Sequence, residues 1–189
     1  MTTRPKASGL CIALAGALLL LCATPALADD FDPAERGRVE MLLHPYDHSP
    51  DAKAFRAVAA DPQAHLLEIA SAAGTRQLTR LQALTALSYF PDKRTLALYT
   101  RLIDEAGLTR EGTRALHRVI QGMAFGFGES ALPHLTPLLK HADPQVRLTV
   151  AHALAHIGEP GKEVLRAHVS GEKDLLVQEA IGKLAAQIK

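Results

Sequence analysis

One apolar stripe recurs along this chain, and it dictates stacked helices. Val146, Val150, Ala153, Leu154 and Ile157 stand at i, i+4, i+7, i+8 and i+11, the spacing of a single helical face. The same spacing returns further along as Val177, Ile181, Leu184, Ala185 and Ile188, and it is already present earlier as Leu116, Ile120, Met123, Ala124 and Phe127. A fourth copy lies further upstream, where Arg80, Leu87 and Phe90 align with Arg147, Leu154 and Ile157. A repeat of this length is one supersecondary unit that cannot bury its apolar face alone, so its copies must stack.

Shorter helical segments are expected between the copies, near 62–73, 92–106, 130–141 and 161–169, each with its own stripe, as in Leu96, Tyr99, Leu102 and Ile103. Asp32-Pro33, Asp61-Pro62 and Asp143-Pro144 each set an N-cap acceptor before a proline suited to the first turn, and Ser49-Pro50 reads the same way. Gly74, Gly107, Gly128, Gly158 and Gly171 fall where helices should end. No segment alternates polar and apolar residues over strand length, and aromatics make up 4% of the 189 residues, few for a sandwich or barrel core. The expected fold is all-α, about ten helices in five antiparallel pairs, beginning with 33–43 and 50–60.

Asp143-Pro-Gln-Val146-Arg147, Ala151-His-Ala153-Leu154 and Ile157-Gly158 resemble the second helix of a HEAT repeat, and the ~30-residue period resembles the short, PBS-lyase-type class. Arg80 to Leu87 with Phe90-Pro91-Asp92 is a second match, while His117 and Gln178 replace the arginine in the other two copies. The resemblance spans 62–189 and implies a right-handed α-α superhelix, with 29–61 as an N-terminal helical pair in the place of a capping repeat. It also implies that Arg80, Asp143 and Arg147 form a structural ladder between repeats.

The N-terminal segment 1–28 reads as an address. Arg4 and Lys6 precede an uncharged run from Gly9 to Ala23, and Ala26-Leu27-Ala28 supplies the small-x-small pattern of signal-peptide cleavage. That run is shorter than the ~20 residues that span a bilayer. Both cysteines, Cys11 and Cys22, would leave with the signal, so the mature chain would have no thiol and no disulfide. The expectation is an exported protein, periplasmic or secreted, that is not integral to the membrane.

Several polar clusters fall off the stripe. Arg110, Arg114 and Arg118 follow one another at four-residue steps, as do Arg76 and Arg80. With Gln121, His152, His156 and Lys183, Arg114 and Arg118 are expected on the second helices, which in HEAT proteins form the concave wall; the alternative is a solvated face. His152 and His156 are four apart, a spacing that can share a metal, with Gly122 and Gly126 one repeat earlier leaving a gap beside them. Two imidazoles without a third ligand also read as a solvated pair. His44, Asp47 and His48 form a second His/Asp cluster, either a loop metal site or a turn around Pro45.

Enzyme signatures are absent from the sequence: no Gly-x-Ser-x-Gly, no phosphate loop, no His-Glu-x-x-His, and no His-Glu dipeptide of the kind repeated in the HEAT-like hydroxylases. A formal net charge of +1 gives no reason to expect nucleic acid. The expectation is a non-catalytic scaffold without a cofactor that binds an acidic protein or peptide along its second helices. The alternative is a metal- or small-ligand-binding protein centred on His152 and His156.

Overall fold

The computed structural model describes residues 32–44, 50–106 and 109–186. The expected signal segment 1–28, Asp47, His48 and Ile188 lie outside the described residues. Contacts from Phe31 onward form one compact unit. Its helices are α1 (Pro33–Leu42), α2 (Ala52–Val58), α3 (Pro62–Ser71), α4 (Gln77–Ala86), α5 (Lys93–Glu105), α6 (Arg110–Phe127), α7 (Leu132–Leu135), α8 (Pro144–Ile157), α9 (Glu159–His168) and α10 (Leu175–Ala186). No strand occurs among the described residues. The fold is an all-α solenoid in which α4, α6, α8 and α10 pack side by side, while α3, α5, the α7 region and α9 lie against them.

The repeated stripe is the core. Leu87, Leu116, Ile120, Met123, Val146, Val150, Leu154, Val177 and Ile181 are all buried, as are Leu66 and Ile69 of α3 and Tyr99 of α5. Capping follows from sequence chemistry. The carboxylates of Asp32, Asp61 and Asp143 accept from the backbone N–H groups of Ala34, Ala64 and Gln145, satisfying donors that helix geometry leaves open. The expected Ser49-Pro50 start is corrected: α2 begins later, capped by Asp51, whose carboxylate accepts from Ala54 N–H at 2.8 Å.

The expected helix near 130–141 is also corrected. It is a 3₁₀ turn at Gly128–Ala131, the single turn α7, and a second 3₁₀ stretch at Thr136–Lys140. Pro133 and Pro137 lie in its interior, and each lacks the N–H that a continuous α-helix needs while its ring crowds the carbonyl four residues back. At the other end of α8 the chain reverses within one residue, Gly158, whose φ of 105° is open to glycine and strained for other residues. The turn brings α9 so close that a Cβ on Gly161 would stand 1.9 Å from the Leu154 carbonyl oxygen.

Arginines tie successive repeats together. Arg147 donates to the carbonyls of His141 and Ala142 just before its own helix, and through Nε and Nη2 to both carboxylate oxygens of Glu172 in the next repeat, each at 2.8 Å. Glu172 also accepts the N–H groups of Lys173 and Asp174. Arg80 repeats the arrangement, donating to the carbonyls of Ala72, Ala73 and Thr75 and to Glu111. Asp143 contributes as the cap of α8, while the carboxylate that meets Arg147 belongs to Glu172. Where the arginine is replaced the link is shorter in reach: His117 faces the Thr149 hydroxyl at 3.5 Å, and Gln178 donates to the Val169 carbonyl. A second set of links joins α3 to α5, where Arg94 bridges Asp61 and Asp92 and also donates to the Gln63 side chain.

The core and the ladder can each be tested by substitution. In the core, Leu154→Ala should cost ~2–5 kcal/mol in chemical denaturation, the range for a leucine truncated in a packed interior. Gly161→Ala should cost ~1–3 kcal/mol by overpacking, because the atom in its way is backbone. In the ladder, the Glu172 carboxyl is held down to about 2, first by the Arg147 guanidinium. Its contribution is therefore fully present above the unfolded value of about 4.5 and is lost as pH falls toward 2. Glu172→Gln should flatten the rise in stability across that window and cost about 3 kcal/mol near neutrality, the low end for breaking a buried pair, since Arg147 keeps 12% of its side-chain surface in water.

Candidate interaction groove

The second helices present their off-stripe residues along one side, and a cavity of about 370 Å³ opens there across three consecutive repeats. It is lined by Thr85, Ser88 and Tyr89 at the end of α4, by Arg118, Gln121, Gly122, Ala124 and Phe125 of α6, and by His152, Ala153 and His156 of α8. The helical period explains the set. Arg118, Gln121, Gly122 and Phe125 are spaced i, i+3, i+4 and i+7, a second stripe on the same helix whose first stripe builds the core.

A row of rings crosses the groove. Tyr89 meets Phe125 edge-on, with centroids 5.9 Å apart and planes at 89°. Phe125 in turn stacks on His156, at 6.1 Å and 20°. Each repeat contributes one ring, and Phe125 remains 59% exposed. Beneath them runs Tyr99, whose buried hydroxyl donates to the Leu84 carbonyl at 2.6 Å. Burial without a neighbouring cation pushes this phenol well above its ordinary pKa.

Gly122 lines the groove but serves packing, since a Cβ there would fall 2.5 Å from the buried Tyr99 hydroxyl. Gly126 serves packing too, because its Cβ would meet the Ser88 carbonyl oxygen at 2.7 Å. Both glycines of the expected gap therefore permit close packing, Gly122 against Tyr99 of α5 and Gly126 against the end of α4.

The polar groups differ in how far they are engaged. The Thr85 hydroxyl donates to the Leu81 carbonyl and the Ser88 hydroxyl to that of Thr85. Arg118, Gln121 and His152 are exposed, and among the described residues they make no hydrogen bond or ion pair. His117, on the neighbouring face of α6, is a different case: burial lowers its pKa.

The structure therefore gathers Arg118, Gln121, His152 and His156 at one groove. Arg114, Arg110 and Arg76 are exposed without lining it. Lys183 stands on α10, paired with Glu179 at 2.6 Å. His44 is exposed at the end of α1. No group of three His, Cys, Asp or Glu side chains placed to hold a metal ion occurs among the described residues. Phe125 is the residue that sequence reasoning passed over. Its signal was an aromatic ring standing outside the stripe that contains Phe127.

No described helix is long and apolar enough to cross a membrane. Neither the curated proteins nor the solved structures hold a match to the chain. Residues 107–185 match the sequence model of the family described as HEAT repeats, whose members are in general protein-interaction scaffolds. That match runs from α6 through most of α10.

Proposed function

We propose that this protein is a non-catalytic scaffold that binds a partner protein or peptide in the groove formed by α4, α6 and α8, and that its repeats belong to the short HEAT class. The observation that carries the reading is the ring row of half-buried Tyr89 and exposed Phe125 and His156. Leaving the Phe125 ring 59% in water forgoes part of the ~1.5–3 kcal/mol that full burial of an aromatic side chain supplies, and its alignment with Tyr89 and His156 forms a surface suited to being covered. A binding face made of side chains from stacked second helices requires no mobile loop, so its geometry is set before the partner arrives.

The test is selection of peptides by display on the protein. Enriched peptides should lose at least ~10-fold in affinity, about 1.4 kcal/mol, against Phe125→Ser, while the melting temperature stays within a degree or two. Peptides that bind Phe125→Ser unchanged would refute the groove as the binding face.

Export belongs to the same proposal. The support is the order of Arg4 and Lys6, the apolar run and Ala26-Leu27-Ala28, which is that of a cleaved signal. Mass spectrometry of protein recovered from outside the cytoplasm should find Asp29 at the N-terminus. Recovery of intact 1–28 on that protein would count against it.

A further inference from the structure

The scaffold reading leaves the chemistry of the partner unstated, and the distribution of charge around the groove supplies it. None of the lining residues carries a carboxylate. Six arginines of the unit have acidic partners, Arg36 with Glu68, Arg38 with Glu35, Arg80 with Glu111, Arg94 with Asp61, Arg147 with Glu172 and Arg166 with Glu159, while Arg56, Arg76, Arg101, Arg110 and Arg114 have none among the described residues and do not line the groove. Arg118 lines the groove and has none among the described residues. A guanidinium left in this way beside an exposed phenyl ring is complementary to a ligand with an apolar body and an anionic neighbour, because the planar fork engages a carboxylate through two parallel hydrogen bonds.

We propose that the groove binds a peptide segment in which an aromatic side chain lies next to Asp or Glu. The aromatic side chain packs on the exposed side of the Phe125 ring, which stands between Tyr89 and His156. The adjacent carboxylate meets Arg118, and Gln121 and His152 offer further hydrogen bonds at the same rim. The cavity, about 370 Å³, is at the small end of pockets that enclose a ligand, which suits one large side chain with its adjoining backbone. A lysine or arginine beside the ring would bring like charges together. This inference rests on the scaffold reading and narrows it.

The experiment is titration calorimetry with three synthetic peptides that share a glycine-serine frame and differ only at the centre, reading Asp-Phe-Asp, Lys-Phe-Lys or Asp-Ala-Asp. Asp-Phe-Asp should bind at least ~10-fold more tightly than either other peptide, a difference of about 1.4 kcal/mol. Arg118→Glu should reverse the charge preference so that Lys-Phe-Lys binds better, and Arg118→Gln should abolish the preference without reversing it. Both substitutions are at an exposed position and should leave the melting temperature unchanged. Phe125→Ala should remove Asp-Phe-Asp binding.

Equal binding of Asp-Phe-Asp and Lys-Phe-Lys would overturn the proposal, as would no binding of Asp-Phe-Asp at millimolar concentration, or an affinity indifferent to Arg118→Glu. Phenylacetate binding as tightly as the peptide would overturn it in favour of a small aromatic acid. The scaffold reading survives all of these if display-selected peptides still require Phe125, and falls separately if they do not.

Discussion

The structure depends on burial of one helical stripe against its own copies. Each second helix has apolar residues on a face wider than its first-helix partner covers, and only the next second helix can exclude water from the remainder. Val150 and Leu154 of α8 are fully buried, as are Ile120 and Met123 of α6, and the two helices pack directly on each other. The core is therefore continuous through the unit, and stability is shared between neighbouring pairs in the manner of a one-dimensional stack. Each interface has to be good on its own account, because no distant element supports it.

Apolar burial alone does not set the register between repeats, since a smooth stripe can slide. The ladder residues supply that constraint. Arg147 grips the carbonyls that lead into its own helix and the carboxylate that precedes the next, so the two helix starts are fixed relative to each other. Arg80 does the same between α4 and α6. On the opposite layer, Arg94 joins the N-terminal caps of α3 and α5. The partners are separated by roughly one repeat in sequence, which is why these links are hydrogen bonds to loops and caps rather than contacts between helix middles. Repeats without the arginine rely on weaker substitutes at His117 and Gln178.

The groove is a by-product of the same stacking. Once the apolar stripe of a second helix faces the core, the residues on its other side must face out, and those of successive helices fall into line. Tyr89, Phe125 and His156 align for that reason. Two glycines let the helices close up beneath it: Gly122 brings α6 against Tyr99, and Gly126 draws α6 toward Ser88. Arg118 stands at the edge of that ring row without an acidic partner among the described residues.

Sequence alone determined the class of fold and most of the core, because a stripe with helical spacing is a local property and its recurrence at a near-constant interval requires only counting. It also determined the aspartate caps, which act within one turn, and it placed Arg118, Gln121, His152 and His156 on the same kind of face. It did not determine that Glu172 would meet Arg147, that the 130–141 segment would break at its prolines, or that Phe125 would stand between Tyr89 and His156. Those depend on the rotation and separation of one helix against the next, set by side-chain volumes and by glycines such as Gly122, Gly126 and Gly161 that permit close approach. Periodicity along a chain specifies which face a residue occupies; only the packed helices decide which other residues it meets there.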